Sequence, residues 1–366
     1  MRRKIPLLRG LAILAVLIGH AALWSIEPLN PPVGSPLPVD PWARLQFELL
    51  AAVVELSYFS VPAFFFGAGL FATFAVQKPG LRENAAFLVA RTKGLLVPLA
   101  IWSVVAFGVA WVLGIPSMSA YALNRLALGQ VEWGYFFPLA MLQMYLLTPL
   151  LVAQARRAPR RLLALGLGVQ VLAVAVRGLG SQAGLLDIPT LGAGPGNYAI
   201  WRWSAYITAG VVAGLHASAI EKWLKARRRG LLALLAVSTA MMVVEGHLLA
   251  VGTLDVGWYA SQTRPAVVLF AFAALAAFFA VDFPARPAVR FIEGVGALSF
   301  GLFLVHPIGY RILHELFDQF AGTLAHTQPL ALAPIYLVVG AGPCYWVLSR
   351  LFRSRHRAKA ALVFGH

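Results

Sequence analysis

The sequence predicts an all-α integral membrane protein with about ten transmembrane helices and both termini in the cytoplasm. Three observations support this fold class. Of the 366 residues, 60% are hydrophobic and only 12% are charged, about half the charged fraction of an average soluble domain. The hydrophobic residues form separate blocks, and a helix needs about 20 apolar residues to cross a bilayer. Lys and Arg are concentrated in every second interval between the blocks.

The apolar blocks divide the whole chain into predicted spans. Ten blocks cover residues 7–25, 47–75, 95–113, 135–153, 162–177, 198–216, 230–250, 264–282, 296–317 and 330–350. The connecting segments are too short to contain another folded unit. Residues 1–366 are therefore expected to form a single transmembrane domain, with no separate soluble domain.

The distribution of positive charge predicts the orientation. Only Arg44, Arg125 and Arg264 fall in the intervals assigned to the outer side, whereas most of the 30 basic residues lie in the alternate intervals and at the termini. Cytoplasmic loops carry such an excess. We therefore expect a multi-pass protein of a bacterial-type inner membrane, in contact with lipid. This topology explains the net charge of +16 without a nucleic-acid partner.

The cysteine count excludes a disulfide-linked or CxxC-containing protein, and the first apolar segment argues against a cleaved signal peptide. Cys344 is the single cysteine, so neither an internal disulfide nor a CxxC site can form, and no metal is expected. The basic N-terminus followed by an apolar block is similar to a signal peptide. Because that block contains Arg9 and His20 and ends in no convincing cleavage site, it is expected to be a retained first helix.

Arg9 and His20 are the strongest candidates for chemistry. They lie eleven positions apart in LLRGLAILAVLIGH, so they project from one helix face about 16 Å apart along the axis. A charge inside the bilayer costs at least about 2.5–3.5 kcal/mol and needs a reason. A neutral imidazole can take a proton from a hydroxyl, and a guanidinium can bind a phosphate or a thioester carbonyl. The pair therefore suits acyl transfer from a cytoplasmic donor. The alternatives are a snorkelling anchor for Arg9 and a packed interfacial histidine for His20.

Two segments resemble the membrane-bound acyltransferase-3 family. The first helix of that family typically contains a Leu-Arg-Gly-like run in which an Arg and a His are separated by ten residues, and LLRGLAILAVLIGH matches that spacing. VPAFFFGAGLF at 61–71 is similar to the family's Phe-Phe-x-x-Ser-Gly-Phe signature, with Ala68 in place of the serine.

Two later segments extend the resemblance over nearly the whole chain. AFLVARTKGLLVP at 86–98 resembles the basic Arg-x-x-Arg segment before a proline, although Gly94 replaces the second arginine and Lys93 lies beside it. ALSFGLFLVHP at 297–307 is similar to the Ser-Tyr-x-x-Tyr-Leu-x-His-Pro signature, with Phe300 and Phe303 in place of both tyrosines.

The resemblance implies O-acylation, usually O-acetylation, of a saccharide or glycoconjugate acceptor. The co-substrate is then acetyl-CoA or a related acyl-CoA from the cytoplasm. His20 is the implied catalytic residue, with Arg9 orienting the donor. Arg91 and Lys93 suit the donor phosphates, although ordinary positive-inside residues would look the same. His20 could act as a general base or could itself carry the acyl group.

Five other polar residues are candidates for supporting roles. Either of two glutamates could orient the catalytic imidazole or could be a structural, protonated group. Two arginines near outer helix ends could hold an anionic acceptor or act as anchors. A histidine beside a proline could belong to the site or pack in a kinked span. These residues are Glu55, Glu245, Arg202, Arg264 and His306.

Two other functions remain open at this point. A secondary transporter or flippase for a glycolipid or small solute also buries Arg, His and Glu, but such proteins commonly have a repeated half and this sequence shows no repeat. A non-enzymatic membrane scaffold has little reason to keep a cation and an imidazole on one helix face. The order of the motifs favours the acyltransferase.

Overall fold

A computed structural model describes residues 1–29, 38, 40–76, 82–115, 131–132, 134–183, 199–252, 262 and 264–365. Within these ranges every regular element is helical. The α-helices are α1 (Ile5–Ile26), α2 (Pro41–Ser57), α3 (Ser60–Ala75), α4 (Ala85–Val112), α5 (Phe136–Arg157), α6 (Pro159–Ala183), α7 (Ser204–Leu215), α8 (Ala217–Ala226), α9 (Arg228–Gly252), α10 (Pro265–Ala280), α11 (Pro287–Ala297), α12 (Ser299–Phe320), α13 (Gly322–Thr327), α14 (Pro329–Ile335), α15 (Gly342–Arg353) and α16 (Arg357–Phe364). A π-helical turn, Tyr336–Ala341, joins α14 to α15.

The apolar helices make this a multi-pass membrane protein. In the described ranges, seven helical stretches are long and apolar enough to cross a bilayer: α1, the pair α2–α3, α4, α5, α6, α9 and the run α14–α15. Two bent pairs, α7–α8 at 104° and α11–α12 at 77°, make nine if each is one span, and α10 is a shorter apolar helix. The all-helical class is confirmed. The count of ten and the cytoplasmic termini stay predictions.

Helix α1 lies in the interior of the bundle. It packs against α2, α3, α11, α12 and α14, and Ile5, Ala12 and Ile13 along it are fully buried. A Cβ built on Gly10 would lie 2.0 Å from the carbonyl oxygen of Ile292, so only glycine permits this approach to α11. Small residues allow such close backbone packing in membranes. The side chains of α1 are therefore held by neighbours on several faces.

Helices α6 and α9 lie at the periphery. Apolar side chains cover their outer faces, and Leu172 and Leu248 are each 64% exposed. A continuous apolar surface of this kind is unfavourable in water but suits lipid chains. These two helices therefore separate the central helices from lipid.

Several lysines and arginines gather at the end of the bundle where α1 begins, which we call the basic end (Lys4, Arg91 and Lys225). Lys225 Nζ lies 2.8 Å from Asp282 Oδ1, and Lys4 Nζ lies 3.4 Å from the same oxygen. The hydrogen bond from Lys225 lowers the pKa of the Asp282 carboxyl. These contacts tie the start of the chain to α8 and to the connection after α10.

The last helix folds back against the bundle. The indole Nε1 of Trp102 in α4 donates to the carbonyl oxygen of Val363 at 3.0 Å, and the Phe364 ring lies 5.3 Å from the Trp102 ring. Gly365 follows with φ +70°, a conformation that favours glycine. Helix α16 thus packs on α4 and α12 near the basic end.

Candidate active site

Helices α1 and α12 are joined by two polar contacts. Near the basic end, Arg9 Nη2 and Nε donate to Ser299 Oγ at 2.9 and 3.3 Å. Further along, His20 Nδ1 lies 2.9 Å from His306 Nε2. Because the contacts occur in the same order along both helices, α1 and α12 run parallel. The guanidinium and the imidazoles therefore lie at different depths of one seam.

The hydrogen bonds of the histidine pair (His20 and His306) define which ring nitrogen of each residue carries the proton. His306 Nδ1 lies 2.8 Å from the carbonyl oxygen of Leu302. A carbonyl oxygen only accepts hydrogen bonds, so His306 carries its proton on Nδ1 and accepts from His20 Nδ1–H through Nε2. This assignment leaves the Nε2 lone pair of His20 available as a proton acceptor. His306 is fully buried, and His20 is half-buried.

Neighbouring aromatic residues hold α12 beside the histidine pair. Tyr310 OH donates to the carbonyl oxygen of Leu17 at 3.0 Å, and the Tyr310 ring meets the His306 ring edge-on at 5.5 Å between centroids. Tyr135 OH, just before α5, donates to the Leu304 carbonyl oxygen at 2.6 Å. Each bond satisfies a buried hydroxyl, so the pair is set in an ordered environment.

A cavity of about 300 Å³ opens on the basic-end side of the histidine pair. We call it the arginine cavity because Arg9 and Arg91 both line it, together with Tyr145, Ser299 and apolar side chains of α3, α4, α5 and α12. Among the described residues, neither arginine forms an ion pair with a carboxylate. Two cations without a protein counter-ion favour an anionic or strongly polar ligand.

The walls of the arginine cavity combine aromatic rings with open glycines. The Arg91 guanidinium carbon lies 5.7 Å from the Phe87 ring centroid and 5.9 Å from that of Tyr145, distances that suit cation–π contacts. A Cβ on Gly67 or Gly94 would meet no atom within 4 Å. These glycines therefore leave room that a ligand can occupy.

The two predicted donor-binding residues differ in position. Both are exposed on α4, but Arg91 lines the arginine cavity and Lys93 is not among the lining residues. Successive positions on a helix point in different directions, so the spacing of two residues separates them by about 200°. Of the two residues, only Arg91 borders the cavity.

Three of the candidate supporting residues form a separate cluster. Arg264 is fully buried at the start of α10 and forms an ion pair with Glu55 of α2. Its Nη1 lies 3.5 Å from Glu245 Oε2 in α9, and Glu245 Oε1 also accepts from the Ala266 amide at 3.4 Å. These contacts link α2, α9 and α10. The partner that the structure gives His20 is thus His306 and neither glutamate.

Arg202 is buried in the 3-10 turn Ile200–Trp203 before α7. The acceptor-binding role predicted for Arg202 and Arg264 stays a prediction. For Arg264, the ion pair with Glu55 already accounts for a buried charge.

Three residues of this region did not emerge from the sequence as candidates. Ser299 and Phe303 stand in ALSFGLFLVHP, seven and three residues before His306 on one face of α12, and that spacing could have pointed to them. Tyr145 lies inside an apolar block with no neighbouring motif. Its place in the cavity depends on how α5 packs against α4.

Comparison with known protein families identifies the family of this chain. A family model described as an acyltransferase domain, of the acyltransferase-3 type, matches residues 2–349. Comparisons with curated proteins and with solved structures gave no match. The matched range includes the histidine pair and both arginines of the cavity.

Proposed function

Because the chain belongs to the acyltransferase-3 family, we propose that it is a membrane O-acyltransferase that uses a cytoplasmic acyl-CoA, acetyl-CoA above all. The acceptor is a hydroxyl of a saccharide or glycoconjugate. The protein lies in an inner membrane with its basic end toward the cytoplasm, as the positive-inside rule requires. The observation that carries the proposal is the seam between α1 and α12, where Arg9 and the histidine pair lie at successive depths.

The arginine cavity is the proposed donor site. Acyl-CoA is an anion, and Arg91 near the opening suits its phosphates through charge-assisted hydrogen bonds. Arg9, held by Ser299, would bind the inner part of the donor and orient it toward the histidine pair. Lys93, exposed on the same helix, would attract the anion without contacting the reacting end.

His20 is the proposed general base. Its free Nε2 takes the proton from the acceptor hydroxyl while the hydroxyl oxygen bonds to the thioester carbonyl carbon. The carbon–sulfur bond then breaks, its electron pair stays on sulfur, and the thiolate takes the proton from His20. The products are the acylated acceptor and CoA. His306 holds the Nδ1–H of His20 and stabilises the imidazolium that forms, as an oriented partner does in other catalytic dyads.

The test follows label from ¹⁴C-acetyl-CoA into the glycoconjugate and lipid fractions of membranes that contain the protein. His20→Ala should abolish transfer while the purified variant still binds CoA and unfolds at the wild-type temperature. Incubation without acceptor separates two mechanisms, since an acyl-histidine intermediate would leave label on His20 and a general base would leave none. A His20→Ala protein that transfers label at the wild-type rate would contradict the proposal and favour a transporter.

A further inference from the structure

The ring of Phe303 lies between the arginine cavity and the histidine pair. Phe303 lines the cavity, and its ring centroid is 6.2 Å from that of His306. Phe303 is the last residue of α12 that lines the cavity, and neither His20 nor His306 is among the lining residues. A group that enters the cavity from the basic end therefore reaches this ring before it reaches His20.

Neighbouring residues hold the ring in this position. The Phe137 ring lies 5.3 Å away and the Phe300 ring 6.4 Å away, between centroids. On another side, a Cβ built on Gly134 would lie 2.9 Å from Phe303 Cζ, so the ring fills the space that a side chain at 134 would need. The hydrogen bond from Tyr135 to the Leu304 carbonyl fixes the adjacent backbone. The ring also borders the arginine cavity, which Phe137 and Phe300 line with it.

We propose that Phe303 is the gate through which the acyl group reaches the histidine pair, and that it restricts the donor to short-chain acyl thioesters of about two to four carbons. The inference rests on the function proposed above. The thioester carbon must come within about 3–3.5 Å of its nucleophile, so the ring has to turn aside during each transfer. In doing so it enters the cavity and takes space from a longer acyl chain.

The closed ring also protects the donor. Water near the thioester and a free imidazole would hydrolyse it, and active sites commonly exclude water to prevent such a side reaction. Phenylalanine suits this position because it has no hydroxyl that could bring a proton or a water molecule beside the thioester. The two phenylalanines at 300 and 303, where the family has tyrosines, give this chain an apolar partition.

The experiment measures hydrolysis by the purified protein in lipid nanodiscs without acceptor. Free CoA thiol is detected after addition of acetyl-, butyryl- or hexanoyl-CoA. In hydrolysis, water gives a proton to His20 Nε2, the water oxygen bonds to the carbonyl carbon, the carbon–sulfur bond breaks, and the thiolate takes the proton back. Phe303→Ala should raise the rate of hexanoyl-CoA hydrolysis about tenfold or more over the wild-type rate, since the size of a pocket discriminates between acyl chains by about that factor. The increase with acetyl-CoA should be smaller.

Three further variants make the result specific. The added rate should disappear in the double variant Phe303→Ala, His20→Ala, because it depends on the exposed imidazole. Phe317→Ala removes a phenylalanine from the outer part of the same helix, beside Tyr336, and should leave rate and chain-length preference unchanged. Phe303→Leu should show a smaller increase and supplies the measurement if the alanine variant does not fold.

An unchanged chain-length preference in Phe303→Ala and Phe303→Leu, or the same gain in Phe317→Ala, would overturn the gate. Binding of acetyl-CoA to the wild-type protein, measured by calorimetry, tests the proposed function separately. If the wild-type protein binds acetyl-CoA and Phe303→Ala keeps the wild-type chain-length preference, only the gate is rejected. If the wild-type protein does not bind acetyl-CoA, the donor assignment itself is rejected.

Discussion

His306 accepts a hydrogen bond from His20 through Nε2 at 2.9 Å and donates its own Nδ1–H to the Leu302 carbonyl oxygen at 2.8 Å. The carbonyl at the end of this chain decides the tautomer of both rings. His20 is therefore presented with a free Nε2, the form that a general base requires. His306 on α12 thus sets the tautomer of His20 on α1.

Loss of His306 should lower turnover more than donor binding. In His306→Ala the Nδ1–H of His20 loses its acceptor and the tautomer is no longer defined, so kcat should fall by about 10²–10⁴ while the KM for acetyl-CoA stays near the wild-type value. In His306→Gln the amide oxygen can accept the same hydrogen bond and should restore part of kcat. Steady-state kinetics of label transfer, with CoA binding as the folding control, tests this. Equal loss in both variants would point to a packing role.

The contact between Arg9 and Ser299 should matter for orientation. Arg9→Lys keeps the charge but loses the planar guanidinium that donates from Nε and Nη2, so kcat/KM should fall by about tenfold or more, in line with a charge-assisted hydrogen bond. Ser299→Ala should produce a smaller loss in the same direction. Initial rates over a range of acetyl-CoA concentrations measure both. Wild-type kinetics for Arg9→Lys would leave this arginine as an anchor.

Substitutions of Arg91 and of Lys93 should have different effects on the KM for the acyl-CoA donor. Arg91→Ala should raise the KM for acetyl-CoA about fivefold, the equivalent of about 1 kcal/mol for a partly exposed charge, because Arg91 lines the cavity. Lys93→Ala should change it little at high salt and more at low salt, since salt screens an exposed charge. The double variant should combine both losses. If donor KM is unchanged in the double variant at low salt, neither residue binds the donor.

A side chain added at Gly94 should block the donor site. Gly94 lines the arginine cavity, and a Cβ there meets no atom within 4 Å. Gly94→Leu should therefore fill ligand space, and leucine is also the better helix former. We expect the Kd for CoA to rise about tenfold or more without loss of thermal stability. Gly108→Leu is the matched control, since Gly108 lies on the same helix with equally open surroundings outside the cavity lining. Equal effects in the two variants would argue against the site.

The orientation can be measured with single cysteines because Cys344 is the only native one. In a Cys344→Ser background, Gln319→Cys at the end of α12 should react with a membrane-impermeant maleimide in intact cells. Arg228→Cys at the start of α9 should react only after permeabilisation, because the basic end is predicted to be cytoplasmic. Reaction of Arg228→Cys in intact cells would reverse the predicted topology.

Most of the fold could be predicted because its determinants are local. A span requires a block of about 20 apolar residues, and blocks such as 7–25 and 230–250 became α1 and α9. The break at Leu298, where α11 and α12 meet at 77°, was not predicted, since residues 296–317 form one apolar block. Which helices become neighbours depends on contacts distant in sequence, such as Gly10 against Ile292.

The sequence by itself determined that Arg9 and His20 project from one face of a single helix, because helical periodicity places residues eleven apart in nearly the same direction. It also led to the acyltransferase-3 family, which the match over residues 2–349 confirmed. Only the tertiary structure decided that His306 is the partner of His20, while Glu55 and Glu245 lie with Arg264. The physical reason is that a hydrogen bond across 286 residues depends on the packing of α12 against α1, which no local pattern encodes.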